Sequence, residues 1–454
     1  VVNRRQFLSL AGASAFARAG FHPNILFVIV DDLGWADTGF HGSEIETPNL
    51  DRLARGGVEF TQHYAMPTCS PTRTAIMSGR FPSRYGVTAP TNERVFDPGT
   101  RTLPVALREA GYDTCISGKW HLGSRLEWGP QHYGFKRSYG CLAGGINQYL
   151  HSYKHGPFTE TWHRDGKFIQ EEGHSTDLIA REAVRYIEMK RNSPFFIYTA
   201  FTAPHIPLQE PEQWLARYEG RIADRSRRQY AAAVTHMDDA VGRLIAALER
   251  TGQRDRTLVV FTSDNGAQEN WRNTAEYPGD GLMPNATLGS NRPWRGWKGE
   301  VYEGGIRVPA FVNWPTMMQP GKYGGALHVV DWMPALCHVA GCTTAKQTDW
   351  DGRDFWPPRA GAAPVSDRVL YWRTPKQRAV RQGAWKLIAT RGKKAETFEL
   401  YNIDKDPYET KDLSATEPAV MTRLRDSMNA QSRLDRLPAV TTRSARQESS
   451  ADRV

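Results

Sequence analysis

The chain has 454 residues, 40% hydrophobic and 24% charged, with 14 Trp, 17 Tyr and 18 Phe. That apolar content can build a sizeable core and excludes a disordered chain. The 40 Gly and 28 Pro follow no period, which excludes collagen-like and low-complexity classes. The net charge of +9, from 58 basic and 49 acidic residues, is a modest excess that fits a polyanionic substrate loosely. No helix-turn-helix, zinc-finger or RNA-binding signature accompanies it, so no nucleic-acid partner is expected. No apolar run approaches the ~18 residues of a membrane span.

The N-terminus reads Asn3-Arg4-Arg5-Gln6-Phe7-Leu8, then a small, mildly apolar run, then Ala17-Arg18-Ala19. This order predicts a twin-arginine export signal over residues 1–19 and a periplasmic or secreted protein. The five cysteines, Cys69, Cys115, Cys141, Cys337 and Cys342, contain no C-x-x-C pair, so a zinc or thioredoxin-like site is not expected. If Cys69 is set apart, the pairing of the other four stays open.

The first element is the continuous apolar run ILFVIV between Asn24 and Asp31, the mark of a strand covered on both faces. A short helix from Pro48 closes at Gly56. LPVALREAG (103–111) reads as a helix and YDTCIS (112–117) as a strand. A helix runs from Ser175 to about Lys190. A second apolar strand follows Pro194. Residues 227–250 form a long helix with Val234, Val241, Leu244, Ile245 and Leu248 on one stripe. TLVVFTS (257–263) is another buried strand. The alternation predicts an α/β fold with a large mixed, mostly parallel sheet sandwiched by helices, over residues 22–345. Residues 265–300 form a long loop rich in Gly, Asn, Pro and Trp, the kind that usually carries function. Residues 368–373, 378–390 and 397–404 alternate in period two. With a helix from about Glu417 to Leu437, they predict a small α+β domain carrying an antiparallel sheet over 365–437. Residues 438–454 lack an apolar anchor and are expected to be a disordered tail.

In parallel sheets, ligands bind beyond the carboxyl ends of the strands. The first strand ends in Asp31-Asp32, and the 112–117 strand in Gly118-Lys119-Trp120-His121. The third leads to Ala203-Pro204-His205, and the fourth to Asp264-Asn265-Gly266. An aspartate after a strand is commonly a turn or cap residue, but all four ends carry chemistry. Asp31, Asp32, Asp264 and Asn265 offer hard oxygen donors, suited to Ca²⁺ or Mg²⁺. A cation would also relieve repulsion among the carboxylates. A fifth element is Thr68-Cys69-Ser70-Pro71-Thr72-Arg73. Pro71 is favourable in a first helical turn, which puts Cys69 at a helix N-terminus, with Arg73 one turn on. His41 and His63 are read as turn and core residues. His236, with Asp238 and Asp239 on the long helix, is read as a surface or packing residue. Trp271, Trp294 and Trp297 either stack on a sugar or pack within the long loop.

Cys69-Ser-Pro-Thr-Arg73 followed by Ser78-Gly79-Arg80 resembles the C-x-P-x-R signature of the type I sulfatases. Asp31-Asp32, Gly118-Lys-Trp-His-Leu-Gly123, His205, Asp264-Asn-Gly266 and Lys298 in KGEVYEGGIRVP fall where that family carries its site. The resemblance covers about residues 22–437. HGSEIETPNLD, HYGFKRSYG and WRGWKGEVYEGGIR are most similar to arylsulfatase B (N-acetylgalactosamine-4-sulfatase) relatives. It implies an alkaline-phosphatase-like fold and a sulfuric ester hydrolase acting on sulfated carbohydrates and aryl sulfates. It also implies that a maturation enzyme converts Cys69 to formylglycine, and that one Ca²⁺ is held by Asp31, Asp32, Asp264, Asn265 and residue 69. By the same resemblance, Arg73 holds the formylglycine hydrate and the ligand carboxylates. Lys119 neutralises sulfate oxygens, His121 is the base for sulfate elimination, and His205 and Lys298 serve the leaving oxygen. The alternatives are a phosphonate monoester or phosphodiester hydrolase of the same superfamily and a non-catalytic periplasmic binder of sulfated glycans.

Overall fold

A computed structural model describes residues 22–279, 281–343, 349–358 and 368–436. The expected signal over 1–19 and the expected tail over 438–454 lie outside the described residues.

The sheet is built around β1 (Asn24–Val30), whose seven residues are all buried. Alternate side chains of β1 serve opposite layers: Ile25, Phe27 and Ile29 join one core, and Leu26, Val28 and Val30 join the other. An unbroken apolar run is what a strand needs when both of its faces are covered. The other strands are β2 (Val58–Phe60), β3 (His63–Tyr64), β4 (Asp113–Gly118), β5 (Arg137–Cys141), β6 (Trp162–Arg164), β7 (Lys167–Phe168), β8 (Phe195–Ala200), β9 (Thr257–Ser263), β10 (Ala310–Asn313), β11 (Gly321–Tyr323) and β12 (Leu327–His328). Ten of them form one sheet in the order β11-β2-β10-β9-β1-β8-β4-β5-β6-β7. The central run β9-β1-β8-β4-β5 is parallel. The pairs β10–β9, β10–β2, β5–β6 and β6–β7 are antiparallel. The carboxyl ends of β9, β1, β8 and β4 therefore meet along one edge, in adjacent positions.

Helices cover both faces. The Pro48–Arg55, Ser175–Glu188 and Arg225–Arg250 helices pack on the side of Leu26 and Val28. The Cys69–Ser78, Leu103–Glu109 and Trp332–Val339 helices pack on the side of Phe27. The predicted elements lie within a few residues of these bounds. The exceptions are at the C-terminal end, where a period-two pattern does not reveal a reversal. The run read as one strand over 378–390 is a hairpin, β14 (Gln377–Gln382) and β15 (Trp385–Arg391), turning at Gly383, whose φ is +58°. A left-handed residue at a two-residue connection matches the twist of the paired strands. The final helix is Pro418–Ser432, shorter than the predicted 417–437.

With β13 (Val369–Arg373) and β16 (Glu396–Asn402), the hairpin makes an antiparallel four-stranded sheet. Its apolar face and Leu424 and Met428 of the last helix merge into the core on the Phe27 side. Buried polar contacts reinforce that seam. Trp372 Nε1 donates to Ala65 O (2.8 Å), and Lys386 Nζ reaches Glu303 (2.9 Å) and Glu409 (2.8 Å) with all three side chains buried.

Candidate active site

The strand ends are stitched to one another by their own backbone. Asp31 N–H donates to Ala203 O (3.2 Å), Asp264 N–H to Val30 O (3.0 Å), and Lys119 N–H to Ala200 O (2.8 Å). Asp32 and His121 have φ of +66° and +57°. A non-glycine residue in the left-handed region costs about 1–3 kcal/mol and persists only where its surroundings impose it. Gly118, at φ +119°, lets the end of β4 close on the carbonyl of Ala200, against which a Cβ would collide.

The Cys69–Ser78 helix enters from an extended Thr68 and is buried along its whole length. Thr72 Oγ1 donates to Asp264 O (2.5 Å), which docks the first turn onto the end of β9. One turn on, Arg73 donates from Nε (3.2 Å) and Nη2 (2.9 Å) to Asp264 Oδ2 and from Nη1 to Lys119 O (2.9 Å). Its Nη2 also lies 3.7 Å from Asp31 Oδ2. A single guanidinium thus ties three strand ends together, which its fixed fork of donors permits and a lysine would not.

One donor atom each from Asp31, Asp32, Cys69 and His205 lie within 4.8 Å of one another. Asp31 Oδ2 is paired with Lys119. Asp32 Oδ2 accepts from Lys298 Nζ (2.7 Å), and Asp32 Oδ1 accepts from Asn265 Nδ2 (2.7 Å). Asp32 N–H donates to Asp264 Oδ1 (3.3 Å). The structure therefore brings Asp31, Asp32, Cys69, Arg73, Lys119, His205, Asp264, Asn265 and Lys298 into one connected group. His121 lies beside it, close enough for Lys119, Arg73 and Asp31 to act on its charge. His205, expected in the site as a catalytic residue, also falls within the set of possible metal-binding donor atoms. Its Nε2 is 3.8 Å from Asp32 Oδ2, and its Nδ1 is 2.6 Å from Ile206 O. A carbonyl only accepts, so Nδ1 carries the proton and Nε2 is the free nitrogen of the neutral ring.

Burial raises Asp31, but the cations Lys119 and Arg73, with Lys298, outweigh it and hold this carboxyl well below the usual range. Burial and the neighbouring Asp31 charge push Asp264 up, against the pull of Arg73 and Lys119. Burial lowers Lys298, yet Asp32 overrides it and keeps the ammonium charged. Burial and nearby cations push His121 well down and His205 down to about 4, so both rings are neutral near pH 7. Burial pushes the Cys69 thiol up to about 12.

Two buried oxygens test whether this group suits a cation. Among the described residues, Asp31 Oδ1 and Asn265 Oδ1 have no hydrogen-bond partner. A buried acceptor left unpaired costs about 1–3 kcal/mol. The oxygens of Asp31, Asp32, Asp264 and Asn265, two of them unpaired, form a donor set that fits a hard divalent ion.

His41 stacks on Trp35 (3.9 Å between centroids), and buried His63 accepts from Trp332 Nε1 (3.0 Å), so both serve packing. Trp271 is buried within the long loop, and Trp294 lies under Arg307 (4.0 Å) and against Tyr408. His236 is buried and does more than pack. Its Nδ1 lies 2.7 Å from Glu210 Oε2 and its Nε2 3.2 Å from Asp177 Oδ1. Glu210 ends the loop that carries His205, so this clasp ties that loop to two helices. No local signal could reveal it, because its three members come from separate elements.

The Sulfatase family model matches residues 23–342. The chain belongs to the sulfatase family. This sulfatase is 30% identical to arylsulfatase J of Mus musculus over 461 residues, covering 88% of the chain and 74% of the relative. It is 32% identical to N-acetylgalactosamine-6-sulfatase of Mus musculus over 409 residues, covering 84% and 75%. Its structure is similar to that of Ps i-CgsB in complex with k-i-k-neocarrahexaose, with a TM-score of 0.82 and 30% identity over 94% of this chain and 96% of that one. The sulfatase is accordingly a sulfuric ester hydrolase, with the fold of its family and a small antiparallel sheet at its C-terminal end. No helix among its described residues is long and apolar enough to cross a membrane.

Proposed function

We propose that the sulfatase hydrolyses sulfate esters of carbohydrates, and aryl sulfates as small test substrates, with formylglycine made from Cys69 as nucleophile and one Ca²⁺ in the site. The observation that carries this reading is the meeting of Asp31, Asp32, Cys69 and His205 donor atoms beside the two unpaired oxygens. Asp31, Asp32, Asp264, Asn265 and residue 69 would hold the ion, whose chemistry when bound is to neutralise charge on the sulfate oxygens. Burial keeps an unmodified Cys69 thiol protonated at neutral pH, and a protonated thiol is a weak nucleophile. The hydrate of formylglycine supplies instead an oxygen nucleophile, and its second hydroxyl allows sulfate to depart with return of the aldehyde.

The chain's own residues do the rest. Arg73 orients residue 69 and fixes Asp264. Lys119 presents its ammonium to a sulfate oxygen. His121, neutral through burial, accepts a proton in the elimination step. His205 and Lys298 serve the leaving oxygen. Since Nδ1 of His205 is committed to Ile206 O, its Nε2 is the atom that faces the site. Lys298, charged and on the same carboxylate, is the proton donor of the two, because the bare Nε2 of neutral His205 only accepts. A carbohydrate substrate is supported by N-acetylgalactosamine-6-sulfatase, named for a sulfated amino sugar, and by the neocarrahexaose bound to Ps i-CgsB. Export by the twin-arginine route to the periplasm, with maturation by a formylglycine-generating enzyme, completes the proposal.

Mass spectrometry of the Cys69 peptide, with turnover of aryl sulfate against aryl phosphate esters, tests it. The expected result is a formylglycine mass, preference for sulfate, and loss of turnover in a Cys69→Ala variant that still folds. Unmodified Cys69 in active material, or activity in Cys69→Ala, overturns it.

A further inference from the structure

We propose that Gly144 and Gly145 are positioning residues whose missing side chains set how deep the imidazoles of His121 and His205 sit. The inference rests on the roles given to those histidines above. Neither glycine has a positive φ, so no left-handed conformation demands glycine there. What demands glycine is a close approach. A Cβ on Gly144 would lie 2.5 Å from His121 Nε2, 2.6 Å from its Cε1 and 3.2 Å from its Cδ2. A Cβ on Gly145 would lie 2.5 Å from Tyr277 Oη, 3.2 Å from His205 Cε1 and 3.3 Å from His205 Nδ1. Two consecutive residues thus form a bare shelf under two rings that arrive from different strands, β4 and β8.

The backbone on both sides of this contact is fixed. The shelf is pinned by Ala143 N–H to Thr161 Oγ1 (2.8 Å) and by Gly144 N–H to Asn92 Oδ1 (3.3 Å), an oxygen that also accepts from Ser124 Oγ (2.7 Å). The backbone of His121 is held by its N–H to Leu142 O (3.0 Å), and the ring of His205 by Nδ1–H to Ile206 O (2.6 Å). Ordinary contact with a methyl begins at 3.4 Å. Gly144→Ala would therefore drive the Nε2 edge of His121 back by about 1 Å, a displacement of the size that costs ~10²-fold when a reacting group is involved. Gly145→Ala meets Tyr277 Oη first and has only a few tenths of an ångström to find at His205, so its effect on that ring is smaller.

The test is a double-mutant cycle in the matured, full-length protein, reading both kcat/KM on an aryl sulfate and the melting temperature. The variants are Gly144→Ala, His121→Ala and the double variant. Gly144→Ala is expected to lose ~10²-fold in kcat/KM and to melt lower than the parent. In the His121→Ala background the added methyl is expected to change the rate by less than about twofold and to cost no melting temperature, because the ring it strikes is gone. Should Gly144→Ala fail to fold, recovery of folding in the double variant supports the shelf, and failure there too overturns it. A wild-type rate in Gly144→Ala, or equal penalties with and without the His121 ring, also overturns it. Retained activity in His121→Ala would instead remove the base role given to that histidine, and the thermal cycle would still decide the shelf.

Discussion

The clasp of Glu210, His236 and Asp177 sets a pH limit on stability. Burial alone would depress His236, but its contacts with Asp177 and Glu210 raise it from 6.5 to about 9. A group raised in the folded state contributes its full stability below its unfolded value and loses it as the pH climbs through the folded one. The difference corresponds to about 3 kcal/mol, or about 2 kcal/mol after allowing for solvent around the half-exposed Asp177. His236→Gln keeps a polar side chain but cannot take the charge. Urea titration of both proteins at several pH values, with slopes checked for equality, measures the gap. The parent is expected to be about 2–3 kcal/mol more stable at pH 6, with the advantage falling from about pH 6.5 and gone above about pH 9. Glu210→Gln should reproduce part of this profile and lower kcat, since Glu210 holds the far end of the His205 loop. A gap that stays flat from pH 6 to pH 10 would refute the charged clasp.

Two further outcomes concern the site. Chelation is expected to lower the melting temperature and abolish turnover, and Ca²⁺ to restore both. Saturation at about 100 times the dissociation constant adds ~2.7 kcal/mol, a gain that Asp31→Asn should blunt. Stoichiometric zinc in active protein would count against the hard-oxygen site. Lys298→Ala is expected to cost about 10²–10³ in kcat, as for other lost donors to developing charge. The loss should shrink for substrates with acidic leaving phenols, and an equal loss on all leaving groups would place Lys298 elsewhere in the reaction.

What could be read from the residues alone was chemistry tied to short stretches. The run ILFVIV required a strand buried on both faces, and Asp31-Asp32, Lys119, His205 and Asp264-Asn265 each followed such a strand. Cys69, Pro71 and Arg73 marked a helix start, because capping and side-chain spacing act within one turn. Tertiary structure decided what depends on distance across the chain. The adjacency of β9, β1, β8 and β4 made separate strand ends into one group. The bond to Ile206 O selected which nitrogen of His205 faces that group. The clasp at His236 and the shelf at Gly144 and Gly145 join segments with no local relation. The hairpin at Gly383 was hidden because alternation has the same period on either side of a turn. Burial, which sets the protonation of Cys69, His121 and His205, exists only once the layers have closed over the sheet.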